Sequence, residues 1–322
     1  MNNDRPVLLF GATGYTGRCC LDALEANETP YLLAGRNMER LQHIAGSHCI
    51  GIRHADARNI HGAFEGAGCV LSTVGPFAQL GSGPLDAAIA AGAHWVDTTA
   101  EQTFLHQARL RDSYAKKQGV TVTPACGVEY LPMFLGASLL GDGPVSTYLW
   151  LDDFLPTRGS VRSMVAMAGV GPIPRPIQVT FDSRSGWAIP IPGAEALFIH
   201  PDSKTHLVLA AHEAWAGAVL WPMARWFRAS RFADAIAARV TDPTDTQRRR
   251  ARFTIVITRG NQALRIDGQD VYGSTGIYAA YVATQLANNM ARCTGVVSAG
   301  RALPIQETMD AVGLKLVRFT LH

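Results

Sequence analysis

The sequence predicts an α/β protein: a doubly wound parallel sheet followed by a second α+β domain carrying an antiparallel sheet. Three observations lead there. A short apolar run, residues 7–10 (VLLF), ends directly in a glycine-rich segment, GATGYTG at 11–17. Over roughly the first 125 residues, strand-like runs alternate with helical ones at the spacing of βα units. After Ala125 the pattern changes to separate extended segments with turn signals between them.

The elements follow in order. Residues 7–10 form a continuous apolar run, as a strand buried on both faces should. A helix is predicted over 16–26, with Leu21, Leu24 and neighbouring alanines on one face. Strands are expected at 31–34, 50–54, 69–72, 94–97 and 120–124. The intervening helices are expected at 38–45, 84–91 and 104–117. In the second half, strands are expected at 148–151, 177–181, 206–210 and 253–258. Residues 263–267 should pair with the last of these across the turn 259–262. A helical block is read over 211–240, and an alanine-rich helix over 274–292.

A chain of 322 residues exceeds the usual size of one hydrophobic core. The divisions read from the pattern are a dinucleotide-binding domain at 1–126, a substrate domain at 127–272 and a C-terminal return to the first domain at 273–322. The net charge is only +3. The run Arg248-Arg249-Arg250 has no interleaved aromatics, so it reads as a solvated edge and not as a nucleic-acid surface. Six cysteines include no CxxC pair, which argues against structural zinc. Reduced thiols, and a start without an apolar h-region, are what a cytoplasmic protein would show. The apolar stretch 207–223 is broken by His212, Glu213 and Pro222, and so is not read as a membrane span.

The glycine segment carries the sharpest signal. Its GxxGxxG spacing, between a strand and a helix, is a variant of the dinucleotide fingerprint, which makes the first domain Rossmann-type. Gly11 permits the tight turn, Gly14 lets backbone approach a pyrophosphate, and Gly17 allows close helix–strand packing. Thr13, Tyr15 and Thr16 complete the loop at the positive end of the helix dipole. Cofactor choice is read at the end of the second strand, where a carboxylate would hold a ribose 2′-hydroxyl. Here residues 34–37 read AGRN, so Arg36, with Asn37 beside it, points to a 2′-phosphate and to NADP. The fourth strand ends in Thr73-Val74-Gly75-Pro76, which would place backbone without bulk beside the nicotinamide ribose. Asp97 and Glu101 close the fifth strand in the same crevice, where helix capping and turn hydrogen bonding compete with a substrate role.

These segments together resemble the saccharopine dehydrogenase-like oxidoreductases, a family that includes trans-acting enoyl reductases. The resemblance rests on GATGYTGR at 11–18, LAGR at 33–36, STVGPF at 72–77 and HWVDTTAE at 94–101. It continues through ACGVEYLPMFLGA at 125–137 and, more faintly, GSTGIYAAYVAT at 273–284. It implies an NADP-binding domain, an inserted substrate domain, and hydride transfer to or from a C–N bond or to a conjugated C=C bond. Family members often read GFDSxPxDLGA where this chain has GVEYLPMFLGA. The first acidic position is kept as Glu129, but the second is Phe134, which makes the entrance to the second domain more apolar.

The cofactor would supply hydride, and the protein must orient the acceptor and deliver a proton. The candidate donors are Tyr130 and Glu129, just after the sixth strand, with Tyr15 a lesser one. Interdomain packing is the competing reading for Tyr130. No Tyr-x-x-x-Lys pair is present, which disfavours a short-chain dehydrogenase. His200, His206 and His212 have no evident carboxylate partners, and no metal site is read from them. A second half rich in Trp, Met, Pro and Ala favours C=C reduction on a largely apolar, carrier-linked or small-molecule substrate. The same composition suits an ordinary core or a homodimer interface. Two rivals remain open: imine reduction or secondary-amine oxidation, with Arg162, Arg175 or Arg184 gripping carboxylates, and a non-catalytic NADP-binding sensor or scaffold.

Overall fold

The computed structural model describes residues 5–167, 175–182, 184–227 and 232–321. The chain divides into two compact units, one running up to Leu131 and including Tyr272–Gly313, the other comprising Pro132–Val271 and the residues from Leu314 onward.

In the first unit, β1 (Val7–Phe10), β2 (Tyr31–Gly35), β3 (Cys49–His54), β4 (Cys69–Ser72), β5 (His94–Asp97) and β6 (Thr121–Thr123) alternate with helices. These are α1 (Tyr15–Ala26), α2 (Met38–Ile44), α3 (Phe77–Leu80), α4 (Ser82–Ala90), α5 (Gln102–Arg109) and α6 (Asp112–Lys117). β1, β4 and β5 are buried along their whole length, which is why they read as unbroken apolar runs. The helix expected over 104–117 is two helices, parted at Leu110 and Arg111. Apolar spacing continues across the break, so periodicity alone does not reveal it.

The second unit takes over within α7 (Leu131–Leu139) and continues through β7 (Ser146–Asp152), α8 (Arg158–Met167), β8 (Ile177–Phe181), β9 (Arg184–Ile191), α9 (Glu195–Phe198) and β10 (Lys204–Leu209). Then come α10 (Ala211–Phe227), α11 (Phe232–Arg239), α12 (Asp245–Arg250), β11 (Arg252–Arg259) and β12 (Gln262–Gln269). The chain ends with α13 (Val271–Ala287), β13 (Gly295–Val296), α14 (Ala299–Ala302), α15 (Ile305–Ala311) and β14 (Leu316–Thr320). The block 211–240 is thus at least two helices, and its residues 228–231 lie outside the described ones.

Among the described residues the first sheet has the strand order β13-β6-β5-β4-β1-β2-β3, with every neighbouring pair parallel. The order reverses direction at β1, which therefore borders the crevice where such sheets bind ligands. The second sheet has the order β14-β12-β11-β7-β10-β9-β8. It is antiparallel except where β10 runs parallel to β7. Its core clusters Trp150, Phe181, Ala188, Val208 and Val256. The segment 273–322, read as one return to the first domain, divides: residues through Gly313 stay with the first unit, whereas β14 extends the second sheet by pairing with β12. Among the described residues no helix is long and apolar enough to cross a membrane.

In α13, Gly276 lets the helix rest on α1, because a Cβ there would stand 2.5 Å from the backbone of Cys19. In the second unit Glu195 is fully buried beside the Thr205 hydroxyl, and neither carboxyl oxygen has full hydrogen-bond geometry. Desolvation raises its carboxyl above the ordinary range, and the nearby hydroxyls of Thr205 and Thr147 offset only part of this. The folded state thus favours the neutral acid. The stability this contributes is complete below the ordinary carboxyl pKa and is lost as pH rises through the raised value. Thermal melts from about pH 4 to about pH 9 should show wild-type Tm falling over that window more steeply than in Glu195→Gln. Parallel curves for the two proteins would overturn this assignment.

Candidate nucleotide-binding site

The site is built around the end of β1. Gly11 adopts φ +103°, a backbone conformation open to glycine, and a Cβ there would lie 2.7 Å from Thr73 Oγ1 and 2.8 Å from Val74 Cγ2. Its N–H donates to Ala34 O at 3.3 Å, and its carbonyl accepts the Thr73 hydroxyl at 3.1 Å. Gly11 is thereby tied to the ends of both β2 and β4. Gly14 donates its N–H to Gly11 O at 3.0 Å and caps α1. A Cβ on Gly17 would stand 2.2 Å from the same oxygen, so helix and strand approach as the third glycine of the motif requires.

A cleft of about 250 Å³ opens on this loop. Of the residues singled out in the sequence, Gly11, Thr13, Gly14, Arg36, Thr73, Val74 and Gly75 line it. Tyr15, Thr16, Gly17, Asn37 and Pro76 do not, and most of these have structural tasks. Tyr15 packs edge-on against Tyr272 with centroids 5.0 Å apart. Thr16 and Gly17 lie in the first turn of α1. Asn37 caps α2 by accepting from Arg40 N at 2.9 Å. Pro76 follows a cis peptide bond and opens α3. Sequence reasoning missed Ala55, Asp56, Ala57 and Arg58, which enter the cleft from the loop after β3. No motif marks them; only the pairing of β2 with β3 brings that loop to Arg36.

Arg36 is exposed, and no hydrogen bond or ion pair holds its side chain among the described residues. Thr13 and Gly14 are also exposed at the N-terminus of the 12-residue α1. An open backbone cradle at a helix start, with a free guanidinium at the end of β2, fits a phosphorylated dinucleotide.

The acidic residues of the crevice act on backbone. Glu101 is buried and accepts Phe77 N at 3.0 Å and Ala78 N at 2.9 Å, so it caps α3 from 24 residues downstream. Asp97 accepts Thr99 N and Ala125 N at 3.0 Å and Trp95 Nε1 at 2.6 Å. Burial pushes its pKa up to about 6 against these donors. Both acids thus follow the capping and turn reading. The bond to Ala125, which sits at φ +60°, fixes the start of the turn that carries Glu129 and Tyr130. Thr275 Oγ1 accepts Val128 N at 3.2 Å and steadies the same turn. Glu129 keeps part of its surface open, yet desolvation raises its carboxyl pKa. Tyr130 is buried, 3% exposed. Neither residue is among those lining the nucleotide cleft.

Two expectations for the second unit need correction. Arg184 is not a free carboxylate grip: its Nη2 binds both oxygens of Asp152 at 2.6 and 2.7 Å, and its Nη1 donates to Thr254 Oγ1. Arg162 and Arg175 are exposed. Phe134 lines no open entrance; it is 1% exposed and packs against Phe198. His206 is buried and stacks on Tyr148, whereas His200 lies in the loop after α9 and His212 on α10.

The sheet order, the glycine cradle and the cleft at the switch point define a Rossmann-type dinucleotide-binding domain. Residues 7–123 match the family model of the saccharopine dehydrogenase NADP binding domain. A Caenorhabditis elegans lipid droplet localized protein is 28% identical over 151 residues, which cover 42% of this chain and 35% of the relative. A trans-acting enoyl reductase of Mycobacterium leprae is 32% identical over 138 residues, covering 39% and 33% respectively. The match thus spans about a third of the length of these curated relatives. Among solved structures, the saccharopine dehydrogenase (L-Glu forming) of Saccharomyces cerevisiae superposes over 99% of this chain and 100% of that one, with TM-score 0.63 and 13% identity. An amine dehydrogenase of Mycobacterium smegmatis gives TM-score 0.50 and 12% identity, over 94% and 97%. At those identities the likeness is one of fold.

Glu101 gives the site a direct test. Glu101→Ala would leave two backbone N–H groups without their acceptor, at a cost of about 2–4 kcal/mol in urea unfolding. It should also loosen the Thr73–Pro76 wall and weaken nucleotide binding, with Glu101→Gln intermediate in both. An alanine variant with unchanged stability would show that the cap is dispensable.

Proposed function

We propose that the protein is an NADPH-dependent reductase that transfers hydride to a conjugated C=C bond of a largely apolar substrate, small or carrier-linked. The observation that carries the cofactor half is the unpaired Arg36 at the end of β2, in a loop with no carboxylate to receive a ribose 2′-hydroxyl. The chemistry half draws on the partial identity to proteins named as trans-acting enoyl reductases. It is also consistent with Arg184 being committed to Asp152.

In this reading Gly11, Thr13 and Gly14 receive the pyrophosphate on backbone at the start of α1. Thr73, Val74 and Gly75 leave room for the nicotinamide ribose. When bound, NADPH supplies the hydride. Glu129 holds a proton more tightly than an ordinary carboxyl because burial disfavours its charge, which suits a donor to the substrate carbon. Asp97 fixes the turn from which Glu129 and Tyr130 project.

Fluorescence titration should show NADPH binding about ten-fold or more tighter than NADH, with Arg36→Ala removing that preference. With an enone substrate, Glu129→Gln or Tyr130→Phe should lower kcat by about 10²-fold while leaving NADPH affinity intact. Turnover of imines but not enones would replace the C=C chemistry with C=N chemistry. Tight NADPH binding without turnover of either class would make the protein a sensor or scaffold.

A further inference from the structure

We propose that Arg58 is the second guanidinium of a two-arginine grip on the 2′-phosphate of NADP, acting with Arg36; the inference rests on the NADP reading above and deepens it.

The geometry begins with one hydrogen bond. Gly35 is paired with His54 at the end of the β2–β3 ladder, and Ala55 N donates to Gly35 O at 3.0 Å, one step beyond it. Past that bond the two chains part. Arg36 follows Gly35 directly, and Asp56, Ala57 and Arg58 follow Ala55. Both segments line the same cleft. Residues 22 apart in sequence thus leave from one point and border one space.

The loop holds Arg58 in place without using its side chain. Asp56 Oδ1 accepts Arg58 N at 2.9 Å, and Asp56 O accepts Asn59 N at 2.9 Å. This is an Asx turn, in which the carboxylate serves its own backbone. The Arg58 side chain is exposed, and among the described residues nothing donates to it, accepts from it or pairs with it. Arg53, on β3 just before the loop, shows the contrast: its Nη1 is bound to the carbonyls of Ala63 and Glu65 at 2.9 and 2.6 Å. The structure therefore employs one arginine of this region internally and leaves Arg36 and Arg58 uncommitted at the cleft.

Charge supplies the ligand's identity. Two guanidiniums bordering one cleft repel each other, and the one carboxylate among the lining residues, Asp56, is engaged with its own turn. A phosphate monoester carries about −1.5 to −2 at neutral pH, which matches two arginines and exceeds what one can neutralise. A free ribose 2′-hydroxyl offers no such charge. The pyrophosphate is a poorer match, because its cradle is the glycine loop at the start of α1.

The test compares ligands that differ only in that phosphate. NADPH and NADH are titrated by nicotinamide fluorescence, and 2′,5′-ADP and 5′-AMP by calorimetry, against wild type, Arg58→Ala, Arg58→Lys, Arg36→Ala and the double alanine variant. Arg58→Ala is expected to weaken NADPH and 2′,5′-ADP by about ten-fold, the worth of one charge-assisted hydrogen bond, and to leave NADH and 5′-AMP within about two-fold. Arg58→Lys should fall between, and the double variant should bind NADPH no better than NADH. Equal weakening of phosphorylated and unphosphorylated ligands would overturn the assignment, making Arg58 a general contact. So would loss confined to Arg36→Ala with Arg58→Ala unchanged. Wild-type protein that binds NADH as tightly as NADPH, or binds neither, would instead sink the NADP reading and this grip with it. Because the Arg58 side chain is exposed and unpartnered, melting temperatures of both Arg58 variants should equal that of wild type.

Discussion

The approach of Gly17 to the carbonyl of Gly11 sets the geometry on which the nucleotide site depends. With the projected Cβ only 2.2 Å from that oxygen, no side chain fits between α1 and the end of β1. The helix can therefore start almost on top of the strand. That places its first backbone N–H groups, and the positive end of its dipole, at the switch point of the sheet. The same carbonyl accepts Gly14 N and the Thr73 hydroxyl, so one oxygen fastens the loop to its helix and to the neighbouring β4. An alanine at position 17 would push the helix away from all three.

A second regularity follows from where the acids are used. Asp56, Asp97 and Glu101 all stand at the carboxyl edge of the parallel sheet, and each gives its oxygens to backbone N–H groups. Asp56 shapes the turn after β3, Asp97 fastens the exit of β6 to β5, and Glu101 caps the short helix after Pro76. These carboxylates define the shape of the loops, and two arginines are left to define the charge of the cleft. The division is economical for an anionic ligand: each acid near the site is drawn into turn or cap bonds, so none remains to hold a ribose 2′-hydroxyl at the end of β2.

How much of this the sequence discloses depends on the range of the interaction. The glycine loop, the buried strands and Arg36 are legible because their meaning is local: a run of four apolar residues, a spacing of three, an arginine where an acid would stand. Arg58 is illegible, since its role needs β3 to pair with β2 in a particular register. Glu101 could be recognised as a cap, but its partner lies 24 residues upstream and not on the helix it opens. In the second unit, β9 carries Pro190 and so reads poorly as a strand, yet it pairs on both sides within the sheet. Arg184 looked available in the sequence for the same reason: nothing local announces that Asp152, 32 residues before it, will occupy its guanidinium.

The turn from Ala125 to Tyr130 is where these lines meet. Ala125 holds a positive φ that costs a residue with a Cβ about 1–2 kcal/mol, and a buried carboxylate, itself raised to about pKa 6, holds it there. Such an arrangement is expensive twice over, in backbone strain and in desolvated charge. A loop that merely joined β6 to α7 could relieve both with a glycine at 125 and an asparagine at 97. That the chain instead fixes this turn at two costs is the physical reason behind the proposal that Glu129 and Tyr130 handle the proton, since a donor is useful only if its position does not wander. The cofactor cradle and this turn then share one design: small or strained backbone at the strand ends, locked by bonds from neighbouring strands, the Ala34 carbonyl and Thr73 hydroxyl for the cradle and the Asp97 carboxylate for the turn.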